Sequence, residues 1–318
     1  MINNIEQYLT ELKKELAGSD RATVQDALSD AEEYLRTALA NATKSKKTAA
    51  EAKTLEQIIE KYGTPQEIAA AYKDIESRTP PAFNHRKREE LKIPAAPAPV
   101  PTPPPPPPAP PDTRPWYARF FGIFGEPRAW GSLFYLIFAM GTGIVYFTWA
   151  VTGLSVSAGL LVIIIGIPIF GLFLMSFRGI ALVEGRLVEA LLGVRMPRRP
   201  LFSRADIGAW QKIKNLFTER QTWTAALYML LQMPLGIIYF SVFVALVGGS
   251  VWLIGRPIFE YVLDLPVFVM YPYGYYTSGW AMPFVVIGGI LLLFATMHLA
   301  KYAGKLHGMW AKVMLVRE

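Results

Sequence analysis

The chain has 318 residues, 52% of them apolar and 18% charged, with a net charge of +7 and no cysteine. The lack of cysteine excludes disulfides and thiolate chemistry. Charge is unevenly spread: residues 1–78 carry 14 acidic and 11 basic side chains, whereas residues 129–177 carry no Lys, Arg, Asp or Glu. A charge-free stretch of that length suits membrane spans of about 20 residues each. The expected fold class is all-α, with a small helical head at 1–78, a Pro-rich linker at 79–115 and a four-span membrane domain at 116–318. The polar, helix-forming start predicts no cleavable signal peptide.

The head reads as punctuated amphipathic helices. Ile5, Leu9, Leu12 and Leu16 form one apolar stripe at helical spacing. Gly18 and Asp20 mark a break and an N-cap, and Val24, Leu28, Ala31, Leu35 and Leu39 make a second stripe. Leu55, Ile58, Ile59 and Tyr62 make a third, stopped at Gly63; Thr64, Pro65 and Glu67 then form a capping box before Ile68, Tyr72 and Ile75. Glu32 and Glu33 belong either to a solvated face or to a face that docks a partner. The stretches "IEQYLTELKKEL" (5–16), "DAEEYL" (30–35) and "YGTPQEIAAAY" (62–72), in that order and spacing, resemble the HAAS helical domain. That resemblance implies a cytoplasmic domain of bacterial membrane proteins linked with signalling.

From Pro94 to Pro115 the sequence holds 13 prolines, six of them consecutive at 103–108. Such a segment favours polyproline II. At ~3.1 Å per residue its extended reach is about 70 Å, which predicts a semi-rigid spacer holding the head away from the bilayer. The basic cluster His85, Arg86, Lys87 and Arg88 suits anionic lipid. Direct nucleic-acid binding is not expected, because no basic, aromatic-interleaved fold accompanies the cluster.

The membrane domain says one phrase twice: "GTGIVYF" (141–147) and "PLGIIYF" (234–240). At an offset of 93, residues 124–151 and 217–244 share 10 identities in 28 positions without a gap, including Trp130/Trp223, Tyr135/Tyr228 and Tyr146/Tyr239. This is an internal duplication. Spans are predicted at about 129–152, 156–177, 223–250 and 282–300, with a tight turn "GLSVS" at 153–157. Nine basic residues lie between the second and third spans, against Arg256 alone between the third and fourth. The positive-inside rule then places both termini and the middle loop in the cytoplasm, with the chain multi-pass in the cell membrane. On that topology the two repeats are parallel, related by an axis along the membrane normal. Each is preceded by an amphipathic stretch, "WYARFFGIF" (116–124) and "IGAWQKIKNLF" (207–217), suited to the cytoplasmic interface.

The stretches "LVIIIGIPIF" (161–170), "GRLVEALLGVRMP" (185–197) and "WTAALYMLLQMPLGIIYF" (223–240) resemble the sensor domain that precedes the kinase modules of many bacterial, especially actinobacterial, sensor histidine kinases. The resemblance implies four spans and a sensory role. The usual phosphoacceptor helix and ATP-binding module do not follow the fourth span, so kinase activity is expected to reside in another chain.

No hydrolase, P-loop or zinc-protease motif is present, and neither cofactor nor metal is expected. His85, His298 and His307 read as scattered, with His298 at an interface. Gln232 either satisfies backbone freed by Pro234 or contacts a ligand. In the outer loop, Tyr261, Tyr271, Tyr273, Tyr275, Tyr276 and Trp280 form either an aromatic belt or a binding surface for a lipid-like signal. Glu260 and Asp264 are either solvated or selective for a basic molecule. Gly143, Tyr146, Gly236 and Tyr239 are expected to form a seam between the first and third spans, the competing reading being a lipid-facing surface.

The residues and resemblances together predict a non-enzymatic membrane signalling protein. Its expected partners are the bilayer and a cytoplasmic protein, either a transcriptional regulator or a kinase component, with homo-oligomerisation left open. The alternatives are a small transporter or transporter subunit, and a plain membrane anchor for the head. The topology is tested with a single cysteine at Arg198. An impermeant thiol reagent should leave it unlabelled in intact cells and modify it after permeabilisation; labelling in intact cells reverses the orientation.

Overall fold

The computed structural model describes residues 4–45, 51–78, 115–160, 166–197, 211, 214, 217–266, 268–270 and 273–316. The Pro-rich linker and most of the stretch at 207–217 lie outside them. Two compact units are drawn from residues 1–111, 156–226 and 310–318, and from residues 112–155 and 227–309.

The head, in the first unit, has four helices: α1 (Ile5–Glu15), α2 (Arg21–Ser45), α3 (Glu51–Tyr62) and α4 (Pro65–Arg78). Three of the starts, those of α1, α2 and α4, have a side-chain cap. Asn4 accepts from Gln7 N–H at 2.7 Å, and Asp20 accepts from Ala22 N–H at 2.8 Å. Thr64 N–H donates to Glu67 at 2.8 Å, and Glu67 N–H donates back to the Thr64 hydroxyl at 3.4 Å. The Thr64 bonds, the backbone one first, hold the Glu67 carboxyl below its usual pKa. Gly18 (φ +86°) and Gly63 (φ +116°) make the breaks after α1 and α3 in left-handed backbone.

Tyr8, Leu12, Leu16, Ala27, Ala31 and Leu35 are fully buried, whereas Ile5, Leu9, Val24 and Leu28 only edge the core. The sequence stripes are therefore rotated slightly. Tyr8 takes the central place because its hydroxyl donates to the Gly63 carbonyl at 2.8 Å while the ring remains buried. Glu32 pairs with Arg36 on its own helix, and Glu33 is exposed.

A second face of α2 is also buried, and it is polar: Thr23, Gln25 and Ser29. Asp20 pairs with Lys312, and Gln25 shares a small cavity with Arg178, Gln221 and Leu315. The head thus rests against Arg178, Gln221 and the segment from Lys312 to Leu315.

Four helices are long and apolar enough to cross a membrane: α6 (Pro127–Leu160), α7 (Gly166–Leu192), α8 (Arg220–Tyr261) and α9 (Met282–Leu315). A short α5 (Trp116–Phe121) and a 3-10 turn (Gly122–Gly125) lead into α6. Only 11% of the most apolar window of α8 is buried within the protein, so most of its apolar surface is open.

The helices overrun the predicted spans. Residues 153–157 continue α6 rather than turning, and α7 begins at Gly166, ten residues later than expected. Gly and Ser break helices chiefly where water can solvate the freed backbone; in lipid the helix is the cheaper state. Likewise α8 continues through Pro257 to Tyr261 and takes Arg256 and Glu260 out of the outer loop. At ~1.5 Å per residue the 34 residues of α9 reach about 51 Å. That exceeds a hydrocarbon core of ~30 Å, so one end serves another purpose. The departure from all-α among the described residues is a hairpin, β1 (Phe268–Met270) paired antiparallel with β2 (Tyr273–Tyr275).

The head closes its own core, so Leu12→Ala should lower its stability by about 2–5 kcal/mol. Chemical denaturation of residues 1–78 followed by circular dichroism measures this. An unchanged midpoint removes Leu12 from the core.

Candidate functional site

The second unit is organised around a contact between α6 and α8. A Cβ at Gly143 would lie 2.7 Å from the Gln232 carbonyl oxygen and 2.8 Å from Met233 Cα. A Cβ at Gly236 would lie 2.5 Å from the Ala139 carbonyl oxygen and 2.8 Å from Met140 Cα. The obstacles are backbone atoms, which cannot swing aside; only glycine fits. Gln232 and Met233 are the repeat mates of Ala139 and Met140, so the contact is reciprocal. That is the signature of a pseudo-twofold interface.

Beside this contact sits a buried polar cluster. The repeat mates Tyr135 and Tyr228 bring their hydroxyls within 3.3 Å of each other. His307 Nε2, from α9, is 2.9 Å from the Tyr135 hydroxyl and 3.1 Å from that of Tyr228. On the other side of the ring, Nδ1 is 3.3 Å from the Tyr239 hydroxyl. A phenol both donates and accepts, so either imidazole tautomer finds complementary partners at both nitrogens. Gln232 Nε2 donates to Tyr135 at 3.4 Å, while its buried Oε1 has no hydrogen-bond partner. Tyr135, Tyr228 and Gln232 are 0% exposed and His307 is 2% exposed. A buried polar cluster between apolar helices is costly unless satisfied, and such clusters concentrate function.

The approach segments repeat down to single hydrogen bonds. Trp130 Nε1 donates to the Phe124 carbonyl at 2.9 Å, and Trp223 Nε1 donates to the Phe217 carbonyl at 2.8 Å. Each second helix packs on the other repeat's approach segment. In the first unit, Phe170 and Arg178 of α7 meet Phe217 and Glu219. In the second, Phe294 and Lys301 of α9 meet Phe124 and Glu126.

The structure thus brings Gly143, Gly236 and Tyr239 to one seam, with Tyr146 also buried. Sequence reasoning missed Tyr135, Tyr228 and His307 as site residues. A signal existed in the second helices: at an offset of 123, Arg178, Gly185 and Leu192 fall on Lys301, Gly308 and Leu315, and Glu184 falls on His307. Glu184 is buried too. Two buried polar residues at one register position mark the place. Gln232 reaches Tyr135 in addition to standing near Pro234. His298 stacks on Phe120 with its Nε2 3.1 Å from that residue's carbonyl.

The outer aromatics do not converge on a pocket. Tyr261, Tyr273, Tyr275, Tyr276 and Trp280 are all exposed, and Tyr271 lies outside the described residues. Glu260 is neither a solvated nor a ligand-selecting acid. It is buried, paired with Arg256 one helical turn away, and it accepts from the Thr277 N–H at 2.9 Å and hydroxyl at 2.6 Å. Asp264 is exposed and accepts from the Tyr276 hydroxyl at 3.0 Å; that bond raises the Tyr276 pKa. Among the described residues no group of three His, Cys, Asp or Glu side chains could hold a metal ion.

Residues 135–315 match the Sensor family, and residues 7–71 match the HAAS family. No curated protein and no solved structure matches the chain.

Gly236→Leu should wedge α6 and α8 apart and cost at least about 3 kcal/mol, at the upper end of overpacking effects. Gly248→Leu, where nothing lies within 4 Å, should be tolerated. Thermal inactivation of the detergent-purified chain compares them; equal behaviour of the two variants contradicts the close contact.

Proposed function

This chain belongs to the Sensor family and carries a HAAS domain at its N-terminus, and on that premise we propose that it is a non-enzymatic signalling protein of the cell membrane. The four apolar helices span the bilayer with both termini cytoplasmic, as the basic asymmetry of the loops supports. The two repeats then run parallel about an axis along the membrane normal. The helical head passes the membrane unit's state to a cytoplasmic protein, either a transcriptional regulator or a kinase component.

One observation carries this reading. Helix α9 holds His307, bonded to tyrosines of both repeats, and five residues on it holds Lys312, paired with Asp20 of the head. A helix transmits rotation or sliding over so short a distance with little loss. Asp20 is a sensitive receiver, because its Oδ1 caps α2 while its Oδ2 takes the Lys312 ammonium. Beside it the carbonyl of Leu315 accepts from Gln221 of α8 at 2.8 Å, which ties the end of α9 to α8. An anchor without signalling would not need the buried cluster and the head contact on one helix.

Hydrogen exchange on the full chain in lipid nanodiscs tests the coupling. Lys312→Glu should speed exchange at amides 21–25 roughly fivefold, the equivalent of about 1 kcal/mol for a partly exposed pair. Asp20→Asn, which keeps the helix cap and gives up the ion pair, should speed the same amides by a similar factor and add nothing in the Lys312→Glu background. His307→Ala should alter the same amides when Lys312 is present and leave them unchanged in Lys312→Glu. Indifference of amides 21–25 to His307→Ala in both backgrounds sinks the proposal.

A further inference from the structure

The segment joining α8 to α9 presents an unusual surface. Residues 256–300 contain three formally charged side chains, Arg256, Glu260 and Asp264. The first two are 2% and 5% exposed and neutralise each other. Asp264 is the one exposed charge of the three, and it is engaged by Tyr276. Around it, Tyr261, Val262, Tyr273, Trp280 and Phe284 are 66%, 74%, 69%, 78% and 69% exposed. So much open aromatic surface is rare on a face that meets only water.

The chemistry of this surface identifies what covers it. A protein partner docked from water would ordinarily meet a charged or polar rim, and this surface has almost none. It is continuous instead with open faces of the apolar helices, through Ile258 and Val251 on α8 and Phe284 and Ile287 on α9. Its side chains combine an apolar ring with a polar tip, the composition that settles at the boundary between headgroups and acyl chains.

The segment is also firmly held. Glu260 accepts two hydrogen bonds from Thr277, and Arg256 reaches the Thr277 hydroxyl at 3.4 Å while its guanidinium lies 5.3 Å from the centre of the Trp252 ring. In the middle of β2, a Cβ on Gly274 would meet Pro266 at 3.2 Å, so β2 is pressed against the segment leaving α8.

Resting on the reading that these helices span a bilayer, we infer that the β1–β2 hairpin and its flanking aromatics form a lipid-binding wedge in the outer leaflet. It sits at the headgroup–acyl boundary, clamped to the end of α8 by Arg256, Glu260 and Thr277.

The native chain has no cysteine, so single cysteines can report on it cleanly. Trp280→Cys and Val251→Cys full chains carry an environment-sensitive fluorophore in vesicles of phosphatidylethanolamine and phosphatidylglycerol. Quenching is read with nitroxide lipids labelled near the headgroup or deep in the chain, and with aqueous iodide. The expected result is at least twofold quenching at position 280 by the shallow nitroxide and at position 251 by the deep one. Adding Thr277→Val should weaken the shallow quenching at 280. Three results overturn the wedge. Quenching at 251 with iodide alone acting at 280 leaves the spanning reading intact. Protection at 280 from every quencher assigns the surface to a second copy or another protein. Absence of nitroxide quenching at both positions removes the spanning reading as well.

Discussion

Backbone contact at Gly143 and Gly236 fixes the distance at which the membrane unit is built. With carbonyl oxygens and Cα atoms where side chains would ordinarily stand, α6 and α8 approach as closely as helices can. That closeness is what allows Tyr135 and Tyr228, from equivalent places in the two repeats, to meet hydroxyl to hydroxyl. Larger residues at the crossing would separate the phenols and leave His307 Nε2 with one partner in place of two. The polar cluster is therefore a consequence of two missing side chains.

Duplication supplies the matching surfaces, yet the unit departs from symmetry where its chemistry is. The approach segments are near copies, even to the indole bonds of Trp130 and Trp223. The second helices keep a basic residue, a glycine and a leucine in register but differ at the buried polar position, where one has Glu184 and the other His307. A symmetric pair of tyrosines facing one asymmetric histidine cannot treat both repeats alike. Its two Nε2 distances already differ, 2.9 Å to one repeat and 3.1 Å to the other.

Much of this was legible beforehand, and the failures have physical causes. Helix caps at Asp20 and Thr64 depend on neighbours in sequence, and the repeat depends on identities, so both could be read directly. The partners of His307 could not, because they stand 172, 79 and 68 residues away. Glycine and serine at 153–157 suggested a turn because turn propensities describe chains in water. The burial of Thr23, Gln25 and Ser29 was not legible, because nothing local distinguishes a polar face wet by solvent from one covered by another part of the chain. Glu260 was misplaced for a similar reason, since a charge near the end of an apolar run reads as loop until its i, i+4 partner is seen inside the same helix.

Asp20 divides its two duties between its two oxygens. Folding of the head uses Oδ1 alone, and attachment to α9 uses Oδ2 alone. Detachment therefore removes no hydrogen bond that the head needs to stay folded, and a released head carries its cap with it. The junction resembles a coupling that can be opened under load without dismantling either shaft. It also frees the two properties to drift apart over evolutionary time: asparagine at this position would still cap the helix while surrendering the grip.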